Sequence, residues 1–267
     1  MIIDFHTHSF PDALAPRAME SLKKNCEGAG IFPHTDGTSA DAKRLLSSVG
    51  IDRAVVCNIA TNARQEEKVN SFAISLLSDP FFVPLGSVHP DSEQIEAQLD
   101  RLLSFGIKGV KLHPDYVRIE LTDKRYDKIF SLLEERGMFC VAHTGYDPVS
   151  PDKVHATPEM IRSVIDAHRG LKLICAHMGG FRQSEGVLRH LVGTGIYIDT
   201  SLSSIRAGEY DNLIKILNEH DPSRILFGTD TPWTEPDKEI EFIKSAPVDE
   251  ALKNKIFSEN AKALLAI

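Results

Sequence analysis

The sequence predicts an α/β fold of the (β/α)₈ TIM-barrel class. Eight short apolar runs recur from end to end, amphipathic stretches separate them, and ionisable residues collect where the runs end. Strands that alternate with helices pair in parallel through βαβ crossovers. Eight such units in 267 residues match the size of a closed barrel. A doubly wound open sheet is the alternative arrangement. The chain is expected to form a single domain over residues 1–267.

The candidate strands are Ile2–Phe5, Arg53–Ile59, Phe82–Ser87, Gly109–Leu112, Phe139–Ala142, Lys172–Ala176, Ile196–Asp199 and Ile225–Phe227. A long insertion, from Ser9 to about Ser39, separates the first strand from its helix and has the length of a lid or binding loop. Between the third and fourth strands, Ile95, Leu99, Leu102 and Leu103 make one apolar helical stripe. Asp91 with Gln94 has the spacing of a capping box before it. Tyr126, Ile129, Leu132 and Leu133 make a second stripe, after the fourth strand. Thr157-Pro158-Glu159 places a cap residue ahead of a first-turn proline after the fifth.

Composition narrows the function. With 42% hydrophobic and 25% charged residues the chain reads as an ordinary globular protein. A formal net charge of −8 argues against nucleic acid or an anionic membrane as main partner. No apolar run approaches a membrane span and no leader precedes the first strand, so a cytoplasmic location is the expectation. Cys26, Cys57, Cys140 and Cys175 lack paired spacing and read as reduced thiols.

The strand ends hold the chemistry. In Asp4-Phe5-His6-Thr7-His8 two imidazoles lie two residues apart, hence on one strand face. Strand four ends in Lys111-Leu112-His113, strand five in His143-Thr144-Gly145, strand six in His177-Met178-Gly179-Gly180, and strand eight in Thr229-Asp230-Thr231-Pro232-Trp233. In a parallel barrel these ends share the catalytic face. Three imidazoles and a carboxylate there suit Zn²⁺ or a similar divalent metal ion. Taken singly, any of these histidines reads as a hydrogen-bonded structural residue.

These motifs resemble the metal-dependent amidohydrolase superfamily, and within it the amidohydrolase-2 branch, which includes aminocarboxymuconate-semialdehyde decarboxylase-like enzymes. Val141-Ala142-His143, Leu226-Phe227-Gly228-Thr229-Asp230 and, more weakly, Glu259-Asn260-Ala261 complete the match. The resemblance implies His6, His8, His143 and Asp230 as metal ligands and Asp230 and His177 as catalytic groups. Zn leads among the ions, with one ion favoured and two as the alternative. Lys111 falls near the carboxylated lysine that bridges two metals in some relatives. A charge partner for substrate is the other reading of Lys111.

Lys111, His113, Arg182 and Trp233 are expected to bind substrate, Arg182 through its planar fork. Tyr146, His34 and Arg17 are secondary candidates. His89 reads as helix-entry structure, and His155, His168, His190 and His220 as solvated. The expected activity is hydrolysis of an amide, ester or lactone of a small organic acid through a metal-activated water. Non-oxidative decarboxylation of a small carboxylic acid is the alternative, and a non-catalytic metal-binding barrel the third. The expected partner is a small, carboxylate-bearing molecule, with homo-oligomerisation left open.

Overall fold

A computed structural model describes residues 1–267 apart from the side chains of Glu27 and Ala207. The strands are β1 (Ile3–Thr7), β2 (Arg53–Cys57), β3 (Phe82–Leu85), β4 (Gly109–Leu112), β5 (Phe139–Ala142), β6 (Lys172–Cys175), β7 (Tyr197–Asp199) and β8 (Ile225–Leu226). They form two parallel runs, β1 to β3 and β4 to β8. Backbone hydrogen bonds join the runs at both seams. The Gly86 N–H donates to Gly109 O (3.1 Å) and the Lys111 N–H to Gly86 O (2.8 Å), tying β3 to β4. The Phe5 N–H donates to Phe227 O (2.7 Å) and the Asp230 N–H to His6 O (2.8 Å), tying β8 to β1. The ring is therefore a (β/α)₈ barrel, as the alternating pattern predicts.

The strands bury both faces, which explains their unbroken apolar character. Ala54, Val56, Val110, Leu112, Cys140, Cys175 and Ile198 pack outward in one cluster with helix residues such as Leu99 and Ile129. The alternate residues Val55, Cys57, Leu85, Val141, Ile174 and Leu226 fill the barrel, together with Phe5 and Phe139. Ala261 and Leu265 of the last helix close that inner cluster. Asn260 anchors this helix by donating to Pro222 O (2.9 Å) and Ile225 O (2.8 Å).

Thr157 caps its helix through the Met160 N–H (3.3 Å), as expected. The Asp91–Gln94 capping box does not form. The helix starts at Ile95, and Asp91 Oδ1 instead accepts from Arg125 at 2.8 Å. Nor is the insertion after β1 an open loop. It carries its own helix, Ala15–Cys26, and is pinned at its base where the Phe10 N–H donates to Gly37 O (2.8 Å).

Three histidines expected to be solvated are buried instead: His155, His168 and His220. Each has found a partner. His155 Nδ1 meets Asp115 Oδ1 at 2.9 Å, His168 bridges Asp127 and Glu134, and His220 Nε2 meets Ile196 O at 3.1 Å. His190 is half-buried, with Glu159 3.2 Å from its Nε2. No helix among the described residues is long and apolar enough to cross a membrane.

Candidate metal centre

Histidines 6 and 8 project from the end of β1, where its pairing with β2 shifts register between Asp4 and Thr7. Each ring is held by its Nδ1. His6 donates to Asp199 Oδ2 (2.8 Å) and His8 to the Cys57 carbonyl (2.9 Å). Both Nε2 lone pairs are left facing Asp230 Oδ1, at 3.4 Å from His6 and 3.1 Å from His8. Fixing one ring nitrogen so that the other presents its lone pair is how metal-ligating histidines are oriented. Burial, then the Lys111 charge, holds His6 well below the usual imidazole range, so its ring is neutral. Burial raises the Asp230 carboxyl, and the neighbouring His8 imidazole opposes that rise. These donors suit a divalent cation, which would neutralise a buried carboxylate and use both lone pairs.

Asp230 sits in the left-handed region (φ 68°) just before the cis Thr231–Pro232 peptide. Asp4 supports it from below. Its carboxylate accepts from the Thr229 N–H (3.0 Å), the Thr229 hydroxyl (2.6 Å) and the His6 N–H (3.1 Å), latching β1 to the loop after β8. Burial pushes the Asp4 carboxyl up to about 7.

Lys111 is fully buried on β4 with Nζ 3.0 Å from His6 Nε2. His177 Nδ1 contacts Ser201 Oγ at 2.8 Å, and that hydroxyl donates to Asp199. Ser201 must then accept from His177, which leaves the His177 Nε2 with a lone pair. That nitrogen faces His143 Nδ1 at 3.0 Å. His6, His177 and Asp230 each offer a ligand atom, all within 4.8 Å of one another.

His143 belongs to a different group, with His113 and Asp147. Asp147 Oδ2 lies 3.4 Å from His113 Nε2 and 3.5 Å from His143 Nε2. The two rings are stacked, centroids 4.2 Å apart and 8° from parallel, and Tyr116 continues the stack at 3.9 Å from His113. The ligand atoms of the three residues lie within 4.8 Å of one another, so this group too could hold a cation. Through its Nδ1, His143 also meets His177, which links this group to the first.

Of the expected substrate residues, Lys111, His113 and Trp233 line a cavity of about 620 Å³ together with His8, His143, His177 and Asp230. Arg182 does not. It stands behind the cavity wall, its guanidinium stacked on Tyr146 (4.9 Å) and Phe181 (5.2 Å). Tyr146 lines the cavity, His34 and Arg17 do not, and His89 is structural, its Nδ1 accepting from the Asp91 N–H at 3.1 Å.

Sequence reading passed over Asp199, Ser201, Asp147 and Arg206. Asp199 is the hinge of the site: it holds His6 through Oδ2 and the backbone of His177 and Ser201 through Oδ1. Arg206 is buried and binds the His177 and Gly180 carbonyls (2.9 and 3.1 Å). The run Asp199-Thr200-Ser201 at a strand end carried the same polar signature as its neighbours and could have flagged Asp199 and Ser201.

An amidohydrolase family model matches residues 3–267. No curated protein matches the chain. Several solved structures share its fold. An uncharacterised TIM-barrel protein from Bordetella bronchiseptica is 20% identical with a TM-score of 0.77, the match covering 99% of this chain and 98% of the other. The 5-carboxyvanillate decarboxylase of Sphingomonas paucimobilis is 14% identical with a TM-score of 0.71 over 100% and 99% of the two chains. A putative 2-pyrone-4,6-dicarboxylic acid hydrolase from Pseudomonas putida is 17% identical with a TM-score of 0.68 over 99% and 97%.

Proposed function

Because the chain belongs to the amidohydrolase family, a family of metal-dependent enzymes, we propose that it is a metal-dependent hydrolase acting on an amide, ester or lactone of a small organic acid. The convergence of the His6 and His8 Nε2 atoms on Asp230 Oδ1 supports this reading. His6, His8 and Asp230 would hold a divalent ion, Zn²⁺ by the preference of nitrogen-rich sites. The His113, His143 and Asp147 group offers a place for a second. When bound, such an ion supplies a water acidic enough to attack as hydroxide near neutral pH.

The chain's own groups supply the rest. Asp230 accepts the proton of the attacking water and passes it to the leaving group. With Nδ1–H committed to Ser201, His177 presents a lone pair and acts as acceptor or ligand. Stabilising the developing oxyanion then falls to the Lys111 ammonium. Asp199 and Ser201 hold the two imidazoles in their tautomers.

Lys111 also favours hydrolysis over decarboxylation. Hydrolysis turns a neutral carbonyl into an oxyanion, so a buried cation binds the transition state more tightly than the substrate. In decarboxylation the charge is on the substrate's carboxylate at the start, and the same cation would stabilise the ground state. Decarboxylation is the competing reading because enzymes of that activity share the fold at low identity. Turnover in ¹⁸O-labelled water separates the two. Hydrolysis places one labelled oxygen in the acid product and releases no CO₂; stoichiometric CO₂ release from a carboxylic acid would overturn the proposal.

A further inference from the structure

The polar centre occupies only the floor of the cavity. Its walls are mostly apolar, with Asn25, Asn58, Gln65 and Lys68 among the polar exceptions, and the apolar residues come from four separate segments. Leu14 and Leu22 belong to the insertion after β1, Phe72 to the helix Glu66–Leu76, Phe181 to the segment after β6, and Leu202 to the segment after β7. Ile31 ties the insertion to the rim by packing on Phe181 and Leu202. The helix Ala15–Cys26 buries only Ala15 and Met19, yet it turns Leu22 into the cavity and leaves Leu14 48% exposed at the edge.

At about 620 Å³ the space is that of a drug-sized ligand rather than a one-ring acid. The cations available to a substrate are few. Among the described residues, Lys68 and Lys111 are the only lysines or arginines in the lining, and Lys68 is exposed. Arg182, which could have clamped a second carboxylate, is turned away behind Tyr146 and Phe181. Apart from the exposed Lys68, a second carboxylate would meet only neutral polar groups or apolar wall, at a cost in desolvation.

We propose that the substrate carries one reacting carbonyl at the His8–Lys111–Asp230 floor and an extended apolar acyl chain against the wall of Leu22, Phe72, Phe181 and Leu202. The assignment of the carbonyl end rests on the hydrolytic reading above; that of the apolar tail rests on the wall alone. Trp233, the only tryptophan in the chain, lines the cavity and reports occupancy by its fluorescence.

The test is a fluorescence titration of the purified protein with butanoate, octanoate and phthalate. Full burial gains up to about fourfold per methylene, so octanoate should bind at least about tenfold more tightly than butanoate, and more tightly than phthalate. A Leu22→Asp variant should cut the octanoate-to-butanoate ratio below about threefold, and Phe72→Asp, on a different helix, should do the same. Equal affinities for the two alkanoates, or preference for the dicarboxylate, would overturn the proposal. Titration needs no turnover, so a chain-length preference in a protein that hydrolyses neither butyrate nor octanoate esters would keep the apolar tail and remove the hydrolytic reading.

Discussion

An Asp230→Asn variant is expected to lose about 10²–10⁴-fold in kcat while melting within a few degrees of the parent protein. The change keeps the size of the side chain and one carbonyl oxygen. It also keeps the backbone bond from the Asp230 N–H to His6 O, and asparagine tolerates the local φ of 68° as well as aspartate does. What it removes is the negative charge that faces both imidazoles and the group that accepts the proton. The fold should survive because the Asp4 carboxylate and the Asp230 backbone N–H, both kept in the variant, latch β1 to the loop after β8. Steady-state kinetics and thermal melting of the variant decide the matter. A kcat within tenfold of the parent's would take Asp230 out of the chemistry.

The largest effect on stability is expected from Gly145→Ala. Gly145 has φ +86°, and a Cβ there would lie 2.1 Å from Phe181 N, 2.5 Å from Phe181 O and 2.6 Å from Gly180 C. Those atoms are backbone and have little room to yield. They belong to the bridge between the ends of β5 and β6, where the Phe181 N–H donates to Thr144 O (3.0 Å) and the Tyr146 N–H to Phe181 O (2.9 Å). Relieving the overlap means separating the segments that carry His143 and His177. A loss of about 3 kcal/mol or more is expected, a fall in Tm of roughly 6–12 °C for a chain of this size. Gly193→Ala is the control: its φ is +75°, but nothing lies within 4 Å of an added Cβ. It should cost only the strain of the left-handed backbone, about 1 kcal/mol. Equal melting temperatures for the two variants would mean that the β5–β6 bridge gives way without cost.

The barrel was readable because both of its signals are local. Apolar runs with helical stripes between them mark βα units, and the ionisable residues at their ends mark one face. The candidate site was readable only where a residue type announces itself. His6, His8, His177 and Asp230 do so, and the structure brings ligand atoms of His6, His177 and Asp230 together, with His8 beside Asp230. Which nitrogen of a ring points where depends on its partner, and those partners lie far off in sequence. Asp199, which settles the His6 tautomer, is 193 residues away from it. For the same reason His143 could be placed on the catalytic face but not assigned to its actual neighbours, since the stack with His113 and Tyr116 arises from the turn after β4. Arg182 misled because a guanidinium next to a strand end is as well placed to cover aromatic rings as to face a ligand. Its backbone lies in the left-handed region (φ 58°), a conformation the sequence does not display.

Metal content of the purified protein is the most direct measurement. Protein expressed with divalent metals in the medium should carry at least one equivalent by elemental analysis, and the His6→Ala variant should lose it while remaining folded. A folded parent protein without bound metal under those conditions, or a His6→Ala variant with the parent's full complement, would contradict a metal centre built on the opening histidine pair.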